Sequence, residues 1–265
     1  MKIGFLITAR LKSTRLPLKL LLDLNGKSIV ERVIERTKKV AFVEDIVLCT
    51  STNPQDKPLV DIAVNNGIYY YLGSEEDVLQ RLSNAAKFFG FDYVVNVTGE
   101  NPLFSIRHAN LVANALRENQ HDFVYLDGLP IGCAVYGLNA KALDVICKVK
   151  EVMDTEIWGV LINRPKIFDV RKIEVNDGYA MPNVRITSDY IEDYQFISKI
   201  YSHFPADYCP SYEEIFYIIK EKPELLKIHE NRVQASLPKE FVEKVDKYFE
   251  ENHDEIVALK KELYK

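Results

Sequence analysis

The hydrophobic pattern starts with an unbroken apolar run, Ile3 to Ile7, of the length and branching of a buried strand. Ile29, Val30, Val33, Ile34 and Thr37 then recur at helical spacing, with Glu31, Arg32, Glu35 and Arg36 filling the opposite face. The same pair of patterns repeats. Asp45–Ser51 reads as a second buried strand, Asn53-Pro54 as a turn, and Leu59 to Val64 as a helix stopped by Gly67. Ile68–Gly73 is a third strand. Ser74, ahead of three acids, is the expected N-cap of a helix through Val78, Leu82 and Phe89, with Gly90 as its stop. Tyr93–Thr98, Ser105–Glu118 and Phe123–Leu126 continue as strand, helix and strand. Strands joined by crossover helices predict an α/β fold of three layers, a mainly parallel sheet with helices on both faces.

The rhythm changes after about residue 128. Residues 129–138 read as an irregular strand, Asn139–Lys150 and Asp154–Asn163 as helices, Phe168–Val175 and Asn183–Thr187 as strands, and Asp189–His203 as a helix. From Pro210 the chain is helical and highly charged. Its stripe of Phe241, Val242, Val245, Tyr248 and Phe249 either packs on the domain or serves self-association. The expected division is a main domain over 1–205 and a C-terminal helical extension over 206–265.

With 265 residues, 47% hydrophobic and 28% charged, the chain suits one large globular domain with an appendage. A net charge of −5 argues against nucleic acid as a partner. No apolar run approaches the ~20 residues of a membrane helix, and the first is shorter than the core of a signal peptide. The expectation is a cytoplasmic protein with no membrane partner. Four cysteines without a CxxC pair and five scattered histidines give no zinc pattern.

Against this acidic balance, Arg10, Lys12, Arg15 and Lys19 cluster just past the first strand, around Ser13 and Thr14, and no acid interrupts them before Asp23. Ligands of open α/β sheets bind at the carboxyl ends of strands. Forked guanidinium donors and mobile lysine charges suit a polyphosphate, and a solvated basic loop is the plain alternative. Gly26-Lys27-Ser28 is not the end of a P-loop, because Leu21 stands where the first glycine is required, and no GxGxxG follows the first strand.

The order ITARLKSTRLPLKLL resembles the N-terminal signature of CMP-sugar synthetases, the CMP-Kdo synthetases and above all the cytidylyltransferases like spore coat polysaccharide biosynthesis protein F. That pattern, roughly A-R-x-x-S-T-R-L-P-G-K-x-L, is matched at Ala9, Arg10, Ser13, Thr14, Arg15, Leu16, Pro17, Lys19 and Leu21, while Leu18 replaces its glycine. Three further blocks are similar to family segments in the same order: the one opening Gly73-Ser74, Val95-NVTGENPLF, and Val184-RITSDYIEDYQFI. A weaker likeness extends into Ser211-YEEI.

The resemblance implies a nucleotide-diphospho-sugar transferase (Rossmann-like) fold. It implies transfer of CMP from CTP to a small acidic sugar, or a related hydroxylated or phosphorylated metabolite, with pyrophosphate leaving, in surface polysaccharide or glycoconjugate synthesis. It makes Lys19, Arg15, Glu100 and Asp189 the catalytic candidates. Nucleotide binding would fall to Ala9, Arg10, Ser13, Thr14, Arg15, Lys19, Ser74, Asp77, Arg81, Asn96, Thr98 and Gly99. Mg²⁺ would be held by Glu100, where the family usually has aspartate, and Asp189. Asp193, four residues on and on the same helix face by spacing, is a supporting acid or a solvated helix residue. Asp189 as a helix cap, an Asp77–Arg81 ion pair, and Asn96 and Thr98 satisfied within the core are the structural alternatives. The acceptor would meet residues from about 127 to 183, where Pro130, Gly132, Glu156, Asn183 and Arg185 are candidates. Trp158 reads more as a core or interface anchor. Relatives and the apolar stripes suggest a homodimer. Two other readings remain: another nucleotidyl- or glycosyltransferase on the same fold, disfavoured by Gly99-Glu100-Asn101 in place of D-x-D, and a catalytically weak nucleotide binder, motivated by Leu18 and Glu100.

Overall fold

A computed structural model describes all of the chain except Asp177, Val233 and Ala235. β1 (Ile3–Thr8) is buried along its whole length because it lies inside the sheet. Among the described residues the sheet has seven strands, in the order β3 (Tyr69–Gly73), β2 (Asp45–Ser51), β1, β4 (Tyr93–Thr98), β6 (Tyr136–Asn139), β5 (Phe123–Asp127), β7 (Val170–Glu174). All neighbours run parallel except β6, which is antiparallel to both β4 and β5. This is the mostly parallel sheet of the nucleotide-diphospho-sugar transferase fold.

Helices cover both faces, as the apolar stripes require. On one face α1 (Ile29–Thr37), α2 (Lys57–Asn65), α4 (Ile106–Asn119), α7 (Ile191–Tyr201) and α8 (Tyr212–Glu221) bury Val33, Leu59, Val112, Ile197 and Ile215 in one core. On the other, α3 (Val78–Phe89), α5 (Ala140–Val149) and α6 (Gly159–Ile162) share a core with α9 (Lys239–Glu251) and α10 (His253–Leu263). The C-terminal stripe therefore packs on the domain: Val245 and Phe249 are buried, and the Tyr248 hydroxyl donates to the Val149 carbonyl. Two buried arginines of α1 tie the extension down from the first face. Arg32 donates to the carbonyls of Leu24, Asn25, Ala206 and Tyr208, and Arg36 to those of Phe104 and Pro210. No helix among the described residues is long and apolar enough to cross a membrane.

Several local expectations change. Asp77, not Ser74, caps α3: its carboxylate accepts from the Gln80 N–H, while the Ser74 hydroxyl accepts from the Asp77 N–H one turn earlier. Residues 183–187 form no strand and make only a parallel bridge, Ile131 to Arg185. The polar and apolar residues there alternate as in a strand, yet Arg185, Ile186 and Thr187 are buried in succession, in a turn-rich connection rather than on a pleated edge. The helix expected over 154–163 shrinks to the four residues of α6, and of the strand expected over 129–138 only its last part enters β6. Gly132, at φ +88, explains this loop. A Cβ there would lie 2.6 Å from the Thr187 nitrogen, so glycine lets residues 130–132 press against 185–187.

Candidate active site

The parallel register sets Thr8 beside both Cys49 and Thr98, so the chain leaves β1 and β4 at one edge of the sheet. A cleft of about 340 Å³ opens there. The loop after β1 supplies one wall through Ala9, Arg10, Lys12, Ser13, Thr14, Arg15 and Lys19. Thr98 and Glu100 come from the end of β4, Val78 and Arg81 from α3, and Glu156 and Trp158 from the segment before α6. A larger groove of about 940 Å³, between residues 163–167 and the α9–α10 junction, includes none of the candidate residues.

The loop's local shape follows from two features. Asp56 accepts from the Leu11 N–H (2.7 Å) and from the Ser51 hydroxyl (2.5 Å), which pins the first residues past β1. Leu18 then adopts φ +53, ψ +24, the left-handed conformation that glycine adopts freely. The chain turns there into a short 3₁₀ segment, Lys19–Leu21, that buries the Lys19 side chain. The leucine thus holds a backbone shape that costs a glycine nothing, at about 1–2 kcal/mol of strain. Leu18 is 48% exposed, so its side chain adds little packing. Leu18→Gly relieves the strain against an unfolded-state entropy cost of about 0.5–1 kcal/mol. The expected outcome is a melting temperature unchanged or raised by a few degrees; a clear fall would show that the leucine is held by contacts instead.

Every cation of the loop faces carboxylate. The Lys19 ammonium donates to Asp189 Oδ1 (2.8 Å) and lies 3.9 Å from Glu100 Oε2. Arg15 donates to the same Asp189 oxygen (3.1 Å). Arg10 reaches Glu156 (2.9 Å) and Glu76 (3.4 Å), and Lys12 reaches Glu76 (2.6 Å) and Glu75 (3.4 Å). Burial pushes the Asp189 carboxyl up. The charge and hydrogen bond of Lys19, the hydrogen bond of Arg185 and the charge of Arg15 outweigh it and hold the group below its ordinary value. The carboxyl of Glu76 is also lowered, chiefly by its hydrogen bond from Lys12.

Asp189 is not a helix cap. It precedes α7 by two residues, and Asp193 performs the capping, with one oxygen accepting from both the Asp189 and Tyr190 N–H groups at 3.0 Å. Asp193 also grips Arg185 at 2.9 and 3.0 Å, and Arg185 donates onward to Asp189 (2.8 Å). Asp193 and Arg185 therefore build the platform that holds Asp189, which stands behind the cleft wall and meets it through Lys19 and Arg15.

The other candidates divide. Arg81 is buried and lines the cleft; it donates to the Ser74 carbonyl (2.8 Å), and desolvation is the main cause that lowers its pKa. Asp77 does not pair directly with it. Buried away from the cleft, Asp77 binds the Lys150 ammonium and the Thr155 hydroxyl besides capping α3. Asn96 is fully buried and donates to the Leu6 carbonyl, so it faces the sheet interior. Gly99 brings the chain against Ala9: a Cβ there would sit 3.2 Å from the Ala9 Cβ. Of the acceptor candidates only Glu156 lines the cleft; Pro130 is buried outside it, Gly132 packs against Thr187, Arg185 is taken up by Asp193 and Asp189, and Asn183 is exposed elsewhere. Trp158 is both anchor and wall, edge-on to Tyr136 (5.1 Å) and Phe123 (6.2 Å). Asp56 and Glu76 carried no signal in the sequence beyond being acids near strand ends.

Glu100 and Asp189 fit a divalent cation that prefers oxygen. Both carboxylates approach the same ammonium, and Mg²⁺ commonly takes one or two carboxylates and completes its shell with phosphate and water. Among the described residues no cluster of three or more acids, histidines or cysteines offers a closed metal cage.

A family model described as cytidylyltransferase matches residues 5–262. An uncharacterized protein of Methanocaldococcus jannaschii is 31% identical over 238 residues, 89% of this chain and 98% of its own length. The spore coat polysaccharide biosynthesis protein SpsF of Bacillus subtilis is 26% identical over 227 residues, covering 83% and 95%. Among solved structures, a cytidylyltransferase from Leptospira borgpetersenii superposes with a TM-score of 0.79 at 25% identity, covering 89% of this chain and all of that one. With the match running over nearly its whole length, the chain belongs to the cytidylyltransferase family.

Proposed function

We propose that the protein transfers CMP from CTP to a small acceptor, an acidic sugar or a related hydroxylated or phosphorylated metabolite, and releases pyrophosphate, in the synthesis of surface polysaccharide or glycoconjugate. One observation carries this reading. At the carboxyl edge of β1 and β4, a run of cations meets two carboxylates around a single lysine nitrogen. Such a site accepts a triphosphate by exchange, with phosphate oxygens taking over donors that Glu76, Glu156 and Asp189 now occupy. Arg10 and Arg15 would fork onto phosphate oxygens, and Lys19 would sit nearest the reacting phosphorus as charge develops. Mg²⁺, held by Glu100 and Asp189, would neutralise phosphate charge. The acceptor hydroxyl would enter along the Glu156–Trp158 side and attack the α-phosphorus opposite the departing pyrophosphate.

A cytoplasmic setting belongs to the same reading. It is supported by four free cysteines, of which Cys49, Cys133 and Cys147 have thiols pushed up to about 12 by burial and so stay inert. So does a homodimer. Its support is exposed apolar surface on the outer strand β3, at Tyr69, Tyr70 and Leu72, and at Phe88 beside it.

The test is pyrophosphate release with each of the four NTPs and Mg²⁺ against a panel of acidic sugars and phosphorylated metabolites, paired with calorimetric NTP binding. The expected result is tight binding and release with CTP. Release driven by another NTP alone would move the donor, and no binding of any NTP would overturn the assignment of the cation loop.

A further inference from the structure

The C-terminal extension comes back against the start of α7 just after its 3₁₀ segment, Pro223–Ile228. There Arg232 donates to both carboxylate oxygens of Glu192, at 2.6 and 3.0 Å, and its guanidinium lies 4.7 Å from the centre of the Tyr190 ring. Arg15 lies 5.3 Å from that ring and Arg185 5.8 Å. Three guanidiniums from three distant parts of the chain thus share one aromatic ring, beside Asp189. Their mutual repulsion is offset locally by Glu192, Asp193 and Asp189.

The three are not equally held. Arg185 is forked onto Asp193 and Arg232 onto Glu192. Arg15 has one carboxylate bond, to the Asp189 oxygen that Lys19 also uses, and it is 35% exposed. Any cation or phosphate that draws Asp189 or Lys19 away leaves the Tyr190 face as the feature still guiding Arg15.

We propose that Arg232 is a positioning residue for the nucleotide: it fixes the Tyr190 ring, and the ring aims Arg15 at the triphosphate. The extension is then part of the catalytic unit. This inference rests on the cytidylyl-transfer reading of the same cleft and adds to it a residue some 40 positions beyond Tyr190 that touches no substrate. An arginine stacked on a ring is also not replaceable by lysine, which lacks the planar face.

The experiment compares full-length wild type, Arg232→Ala, Arg232→Lys, Tyr190→Leu and the Arg232→Ala/Tyr190→Leu double variant. It measures CTP by calorimetry, pyrophosphate release, and melting temperature. Arg232→Ala is expected to raise the Kd and KM for CTP about threefold to tenfold, with kcat within about twofold, the size of one cation–π contact. Arg232→Lys recovers only part of the loss. The double variant binds CTP no worse than Tyr190→Leu alone, because both act through one ring. Unchanged CTP affinity in Arg232→Ala overturns the inference while leaving the cytidylyl reading standing. So do losses that multiply in the double variant, and an affinity loss that vanishes once the variants are compared at equal distance below their melting temperatures. Wild type that binds no CTP removes the reading and this inference together.

Discussion

Asp189→Asn is expected to cut turnover by about 10²- to 10³-fold, the scale seen when one preorganised electrostatic group is removed from a reacting centre. It should also destabilise the chain. The side chain is 9% exposed and is shared by Lys19, Arg15 and Arg185, so neutralising it leaves three cations short of counter-charge. Breaking a buried pair costs up to about 3–5 kcal/mol, and the amide oxygen retains part of that. Turnover measured well below the melting temperature separates the two effects; a rate close to wild type there would leave Asp189 as scaffold only. The pH dependence has a definite sign. The folded carboxyl titrates below its unfolded value of about 3.9, so its stabilisation is complete above that value and is lost as pH falls through the lower folded one. Melting temperatures of wild type and Asp189→Asn should therefore lie furthest apart near neutral pH and converge in acid. A gap that widened on acidification would contradict the ion-pair account.

Lys19→Ala carries the second large effect. Its ammonium is the cation shared by both candidate metal-binding carboxylates, at 2.8 Å from Asp189 and 3.9 Å from Glu100. A charge-assisted hydrogen bond is worth about 1.5–3 kcal/mol, so CTP affinity should fall about ten- to a hundredfold. The alanine also leaves Asp189 with Arg15 and Arg185 as its remaining partners, which keeps the carboxylate ionised and the local fold intact. Calorimetry with CTP reads the loss directly. Affinity within about twofold of wild type would remove Lys19 from the phosphate site, since a lost charge-assisted bond cannot be that small.

The sheet was legible because its strands are read from short-range pattern. Ile3–Ile7, Asp45–Ser51 and Tyr93–Thr98 are buried on both faces, and helices with clean stripes separate them. The loop after β1 was legible for another reason, since four cations in ten residues stand out against an acidic chain. What the sequence hid are relations across distance. Nothing near Asp77 announces that its partners are Lys150 and Thr155, 73 and 78 residues away, so an i,i+4 pair with Arg81 looked natural. Asp189 looked equally fit to be a cap, and only the position of Asp193 three residues past Tyr190 shows which acid caps and which pairs with Lys19 and Arg15. Residues 183–187 alternate polar and apolar as a strand does, but Arg185, Ile186 and Thr187 are buried in succession, so here the alternation does not report which face is buried.

The two arginines of α1 have a consequence for the order in which the protein can be completed during synthesis. Arg32 and Arg36 lie within the first 40 residues and are fully buried, yet several carbonyls that satisfy them belong to Ala206, Tyr208 and Pro210. On the ribosome, where chains emerge from the N-terminus, β1, α1 and β2 are available long before those carbonyls exist. Until then the outer side of α1 stays open to water, with Arg32 held by the Leu24 and Asn25 carbonyls and Glu35 alone, while its apolar stripe is free to pack on the sheet. The two arginines therefore leave water only when a segment made near the end docks over them, so closing that side of α1 is among the last steps of completing the fold.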